Sequence, residues 1–318
     1  MTSVLFTPAG SGMAVTSLKA LNEHGDIRTV STDIDDLSPG LHLADAGYIV
    51  PPFDDDEYMA SILHIVETED IDVVVPSLDP ILKRFANTKD RFREVGARVM
   101  ISPPETLTVT QDKWKTYERL GDTLPFPDSW IDIANVDPSD ELFIKPRTGS
   151  GSEGIHEITS RRDLEFYFER VTDPIVQEYL PGPEYTIDCL TDGSGDLLAC
   201  VPRKRLDITS GISTKVEVVD DPALVDIARG VADELEFVGP FFVQVKADDD
   251  GDPRITEVGA RTAGTMCREF VTPSLQYLAV QQLLGGSVPE PEVEFGRRLS
   301  RYWCEQSFDG DVAELHRY

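Results

Sequence analysis

The first hundred residues repeat one short pattern, and that repetition limits the fold more than any other feature of the chain. Short apolar runs at 3–7, 27–31, 47–50, 73–76 and 98–101 alternate with helical stretches. Within 57–67, Met59, Ile62, Leu63 and Val66 recur at i, i+3, i+4 and i+7, which lines one face of a helix. Strands free of polar interruption, each followed by a helix, are buried on both faces, so a parallel sheet is expected. Ser102-Pro103-Pro104 breaks the pattern and reads as a linker.

Beyond it the style changes. Residues 105–182 read as a small α/β unit, with helices at 112–120 and 161–170 and strands at 142–145 and 175–178. After Pro181-Gly182-Pro183 come longer strands of alternating polarity at 184–190, 197–203 and 213–219, then a helix at 222–235. Strands at 241–247 and 254–258 flank the turn DDDGDP. Strand pairs joined by Asp/Gly turns are hairpins, so this part is predicted antiparallel. A parallel sheet followed by antiparallel sheets implies separate domains, placed at 1–102, 103–182 and 183–318, an α/β unit leading into α+β units.

Charge narrows the partners. The chain of 318 residues carries 58 acidic and 29 basic side chains, a net −29, and only 9 of the bases are lysine. The acids are spread evenly rather than gathered in a tail, as suits a protein kept soluble in concentrated salt, and a halophilic source is expected. Nucleic acid is not an expected partner, because phosphate contacts need basic stripes. No apolar run reaches the length of a membrane span and the N-terminus lacks a basic-then-apolar leader, so no membrane contact and a cytoplasmic location are expected. Cys189, Cys200, Cys267 and Cys304 form no CxxC pair, and the five histidines are scattered, so neither a zinc site nor a histidine triad is expected.

Gly10-Ser11-Gly12 follows the first strand, and Asp33 ends the second, which is similar to a dinucleotide fingerprint. Val15 stands where the third glycine belongs, so the favoured reading is a tight βα turn, with a nicotinamide oxidoreductase as a weak alternative.

Four separated segments each supply one part of a nucleotide–metal site. In 145–154 a strand delivers Lys145, and the small residues Thr148, Gly149, Ser150 and Gly151 form a loop whose N–H groups can close over phosphates. In VQEYLPGPEY an apolar strand enters a Pro/Gly bend able to offer backbone groups to an adenine edge, with Glu184 near a ribose. Arg203-Lys204-Arg205, with Lys215 downstream, concentrates positive charge in an acidic chain and suggests an anionic ligand. Gln244 on one strand and Glu257 on the next offer oxygens suited to Mg²⁺, with Arg261 four residues on to steady a phosphoryl group.

In this order and at these spacings the segments resemble the ATP-grasp superfamily, in particular its carbamoyl-phosphate-synthase-large-chain-like branch, over nearly the whole chain. The resemblance implies a Rossmann-like parallel-sheet domain followed by a two-lobed ATP-grasp fold with ATP between the lobes. It implies that Lys113 and Lys145 neutralise phosphates and that Glu178, Tyr179 and Leu180 meet the adenine. Glu184 would meet the ribose, and Gln244 and Glu257 would hold Mg²⁺, or Mn²⁺ in its place. Arg203, Lys215 and Arg261 are the candidates for the γ-phosphate and the acceptor carboxylate. The implied chemistry joins small-molecule carboxylate and amine (less often thiol) substrates through an acyl phosphate, in a chain that can pair as a homodimer. The family writes the metal strand Glu-x-Asn-x-Arg, and Gly259 here removes one oxygen ligand. Water is expected to fill that vacancy, and Gly259→Asn to strengthen Mg²⁺ binding. A nucleotide-binding protein without turnover is the leading alternative.

Overall fold

A computed structural model describes residues 1–137, 141–149, 151, 153–266, 268–308 and 316–317. The first domain runs β1 (Thr2–Thr7), α1 (Gly12–Leu21), β2 (Ile27–Asp33), α2 (Pro39–Leu43), β3 (Ala46–Ile49), α3 (Tyr58–Thr68), β4 (Val73–Pro76), α4 (Asp79–Glu94) and β5 (Arg98–Val99). Its strands lie in the order β3-β2-β1-β4-β5, all parallel. Val4, Leu5, Val73 and Val74 are fully buried in it, as runs sandwiched between two helical layers must be. The apolar face of α3 packs Met59, Ile62, Leu63 and Val66 into the core, the same four positions its periodicity marks.

Ser102-Pro103-Pro104 is no slack linker. Ser102 is buried, its Oγ accepts from the Val238 N–H at 3.1 Å, and Pro104 opens α5 (Pro104–Thr110). Proline suits a first helical turn because its missing N–H has no partner there in any case. Next comes α6 (Lys113–Leu120), capped by the Asp112 carboxylate, which accepts from the Trp114 N–H at 3.0 Å.

The small lobe comprises β6 (Ser129–Trp130), β7 (Leu142–Pro146), β8 (His156–Ile158), α7 (Arg161–Phe168) and β9 (Pro174–Glu178), its four strands antiparallel in the order β6-β9-β7-β8. The large lobe comprises β10 (Glu184–Thr191), β11 (Leu197–Thr209), β12 (Ile212–Val218), α8 (Pro222–Glu234), β13 (Pro240–Ala247), β14 (Pro253–Gly259), β15 (Val271–Thr272), α9 (Leu275–Leu283), β16 (Glu292–Val293) and β17 (Arg298–Ser300). Its main sheet is antiparallel and six-stranded, β14-β13-β10-β11-β12-β17. A last strand, β18 (His316–Arg317), returns to the first domain and pairs in parallel beside β3.

The cores show which parts are packed together. One apolar cluster runs unbroken from Ile62, Val74 and Phe85 of the first domain to Ile187, Val231 and Val243 of the large lobe. The small lobe packs a cluster of its own around Leu142, Ile144, Leu164 and Val176. The first domain and large lobe therefore form one base, and the small lobe sits over it on separate packing. Among the described residues no helix is long and apolar enough to cross a membrane.

Candidate active site

A cleft of about 760 Å³ lies between the lobes, and the edge of the first domain closes one end. Its floor is one face of the large-lobe sheet. Register places Arg203 of β11 opposite Thr186 of β10, Thr186 opposite Gln244 of β13, and Gln244 opposite Glu257 of β14. Cross-strand partners project to the same face, so these four form a single polar row across the sheet. Two residues along each strand, Arg205, Glu184 and Lys246 form a second row on the same face. The opposite face carries Ile187, Val243, Val245 and Ile255 into the core.

Gln244 and Glu257 offer an amide oxygen and a carboxylate from adjacent strands. That donor set fits a hard cation which completes its octahedron with phosphate oxygens and water. Among the described residues no group of three or more His, Cys, Asp or Glu side chains gathers to hold a metal, so the cleft does not fit a closed, all-protein site. Arg205 ties the two rows together: its Nη1 donates to Glu184 Oε1 at 2.6 Å and to Gln244 Oε1 at 3.0 Å, and its Nη2 donates to Gly211 O at 2.7 Å.

The small lobe contributes Lys145 and the loop after β7 to the cleft wall. Lys145, on β7, is 8% exposed and its Nζ donates to Thr256 O at 3.1 Å. Thr256 is the residue that a register shift leaves unpaired between β13 and β14. Burial and the nearby Lys113 ammonium push the Lys145 pKa down to about 7, against the pull of Glu257 and Glu184. Lys113 Nζ donates to Gly149 O at 3.0 Å, which sets it against the loop that follows β7, and both lysines border the cleft. The base of that loop is fixed by Arg147, whose Nε and Nη2 donate to Asp112 at 3.1 and 2.7 Å. Burial raises the Asp112 pKa, but the Arg147 contact and helix N–H groups hold it below the usual range. Gly149, Gly151 and Gly154 have φ of 105°, 78° and 68°, a region that glycine enters without strain. Thr148, Gly149 and Gly151 line the cleft, while Ser150 lies outside the described residues.

At the bend between the lobes, Glu178, Tyr179 and Leu180 all border the cleft. The Tyr179 N–H already donates to Glu141 O at 3.0 Å, and the Glu178 N–H to Asp128 O at 2.9 Å. The Tyr179 ring carries the Lys246 ammonium 5.2 Å from its centroid. Gly182 is needed here because a Cβ would meet Ala247 Cβ and O, each at 2.7 Å.

The three other candidate cations fare differently. Arg203 lines the cleft but is fully buried, with Nε and Nη2 bound to Asp188 at 2.6 and 2.7 Å. Removing one partner from such a buried pair costs ~3–5 kcal/mol. Lys215 is 56% exposed at its side chain, pairs with Asp207 at 2.9 Å, and is not part of the cleft wall. Arg261 borders the cleft and is held by Asp79 of the first domain, each contact at 2.7 Å. The space of the missing asparagine is not open to water. A Cβ on Gly259 would lie 2.2 Å from Phe242 Cε1 and 2.3 Å from Cζ, so the phenyl ring fills it and Gly259→Asn has no room. Arg205 was named from sequence only as part of the basic patch, and Lys246 and Phe242 were not singled out, although strand parity with Gln244 places both beside it.

The Gly10 turn offers no ribose site. Asp33 is buried, with Oδ1 accepting from the Ile34 N–H at 2.8 Å and Oδ2 from Ser38 Oγ at 3.0 Å. A Cβ at Gly40, in α2, would lie 2.1 Å from Ala9 O, so that helix packs directly onto the turn.

Known proteins are similar to the chain over most of its length. Residues 170–305 match the family model "ATP-grasp in the biosynthetic pathway with Ter operon", and residues 4–100 match "PylC-like, N-terminal domain". A carbamoyl-phosphate synthase of Methanobrevibacter smithii is 26% identical over 219 residues, 65% of this chain and 57% of that protein. The carbamoyl phosphate synthase arginine-specific large chain of Halalkalibacterium halodurans is 22% identical over 315 residues, 90% of this chain and 29% of that one. The chain thus spans well under two thirds of either relative. Among solved structures, the ADP complex of an N5-carboxyaminoimidazole ribonucleotide synthetase superposes with a TM-score of 0.74 at 19% identity, over 93% of this chain and 79% of that one.

Proposed function

Because this chain belongs to the ATP-grasp superfamily, on its carbamoyl-phosphate-synthase-like branch, we propose that it is an ATP-dependent ligase joining a carboxylate to an amine through an acyl phosphate. The observation that carries the reading is the facing of Lys145 and the Gln244–Glu257 pair across one cleft. A substrate carboxylate oxygen attacks the γ-phosphoryl group and ADP leaves. The amine nitrogen then attacks the acyl carbon, and phosphate departs with its oxygen. No protein nucleophile is needed, and the catalytic work is positioning and charge neutralisation.

In this reading Lys113 and Lys145 neutralise phosphate oxygens, and the backbone N–H groups of 148–154 close over them. Leu180 and its neighbours meet the adenine, and Glu184, steered by Arg205, meets the ribose. Gln244 and Glu257 would hold Mg²⁺ or Mn²⁺, whose contribution is to screen the charge of the phosphates. Lys215 is replaced by Arg205 and Lys246 as the cations serving the cleft, because its ammonium is spent on Asp207 at the surface.

A nucleotide-binding protein without turnover is the second reading, favoured by the Phe242 ring that stands where a further oxygen ligand would reach. A panel of carboxylates incubated with Mg-ATP and hydroxylamine separates the two, since hydroxylamine traps an acyl phosphate as a hydroxamate. Hydroxamate and ADP in equal amounts support the ligase. Protection by ATP with no ADP formed from any acid supports the binding protein.

A further inference from the structure

We propose that Asp79 of the first domain is a positioning residue for Arg261, and that the Phe242 ring, admitted by Gly259, is the platform beneath the same guanidinium. The proposal rests on the reading of the cleft as a nucleoside triphosphate site, with Arg261 meeting the terminal phosphoryl group. Asp79 opens α4 at the edge of the parallel sheet, and Arg261 follows β14 of the large lobe, 182 residues away. Arg261 Nε donates to Asp79 Oδ1 and Nη2 to Oδ2, both at 2.7 Å, a two-pronged contact that fixes the plane of the guanidinium. Its Nη1 donates to Thr262 O at 3.0 Å. The guanidinium carbon lies 5.3 Å from the centroid of the Phe242 ring.

That ring can stand there only because residue 259 has no side chain. Its edge occupies the volume a Cβ would take, 2.2 Å away. The absent oxygen ligand and the cation–π platform are therefore one feature: the strand exchanges a metal-directed side chain for an aromatic face under the arginine. The arginine side chain is 15% exposed and that of Asp79 35%, and both border the cleft, so the pair is sheltered yet reachable by a ligand.

A guanidinium has five N–H donors, and these contacts engage three of them. The remaining two stay available to an anion. Fixing the side chain beforehand removes the ordering cost that a free arginine meets on binding. Asp79 and Arg261 both belong to the base that the shared core joins, so their contact does not depend on the separately packed small lobe.

The test titrates the full-length chain with Mg-ADP and with Mg-AMP-PNP, which differ by the terminal phosphoryl group. Four proteins are compared: parent, Asp79→Asn, Arg261→Met and the double variant. Asp79→Asn is expected to weaken AMP-PNP roughly three- to tenfold while leaving ADP within about twofold, and to add nothing once Arg261 is methionine. Phe242→Leu, which keeps an apolar filler but removes the ring face, is expected to give the same selective loss. Should Asp79→Asn fail to fold, Asp79→Ser takes its place in the same comparison, while the Phe242→Leu titrations decide the ring's part. A loss falling equally on both nucleotides, or persisting in full on the Arg261→Met background, overturns the positioning role. Failure of the parent to bind either nucleotide overturns instead the reading of the cleft on which it rests.

Discussion

Lys145 concentrates the physics of the site at the scale of one residue. An ammonium so buried, beside a second lysine, gives up its proton near pH 7 where an ordinary lysine holds it beyond pH 10. Its pKa is lower in the folded than in the unfolded chain, so the cost of the buried charge is fully present below about pH 7. Without nucleotide, stability should rise as pH climbs from there toward 10.5. Bound phosphates reverse the preference and favour the ammonium. Binding of Mg-ADP at pH 8 is therefore expected to take up close to one proton, read as a buffer-dependent heat in two buffers of different ionisation enthalpy. Lys145→Met should abolish the dependence, and a buffer-independent heat in the parent protein would count against the assignment. Gln244 and Lys145 were legible because each sits on a strand whose alternation shows which face it joins, whereas Glu257 was legible only from its motif, since the shift at Thr256 turns it away from the face that Ile255 takes. Lys215 was not, because β11 shifts register between Arg205 and Asp207 and again before Ile208. Each shift disturbs the period of two on which a face is assigned, and no residue type announces it.

At the scale of elements, the long runs were readable and the short ones were not. The helix at α3 and the strands β4, β7 and β13 declare themselves by periodicity. The two- and three-residue strands β15, β16, β17 and β18 are too short for any period to show, and they form where tertiary pairing offers them partners. The pairing of β18 with the first domain is a long-range event of that kind, joining residues 316–317 of the unit drawn at 183–318 to the unit drawn at 1–102. β14 shows the opposite limit. Its glycine reads as a loss when strands are considered singly, and only the neighbouring strand supplies Phe242 to fill the gap. Gly259→Asn is accordingly expected to lower stability by ~1–3 kcal/mol, the usual cost of overpacking, with no gain in Mn²⁺ affinity. Denaturant melts and a manganese titration in the presence of Mg-free ADP measure both quantities. Undiminished stability with tighter Mn²⁺ binding would show that the ring yields and that the asparagine position is intact.

For the whole molecule, two properties act together: a base made of the first domain and the large lobe, and a net charge of −29. Self-repulsion on that scale is a fold-wide penalty which salt removes by shortening the screening length from ~10 Å at 0.1 M to ~3 Å at 1 M. The melting temperature is expected to climb over that interval and hold in molar salt. A flat profile from 0.1 to 3 M would remove the case for salt adaptation and leave the cleft untouched. The cleft itself is tested most directly by which nucleotide stabilises the fold. At a free concentration of 100 times its dissociation constant a ligand adds ~2.7 kcal/mol, and Mg-ATP should therefore raise the melting temperature by several degrees. NAD⁺ should leave it unchanged, and Lys145→Met should lose the Mg-ATP response. Stabilisation by NAD⁺ with no response to Mg-ATP would contradict the account.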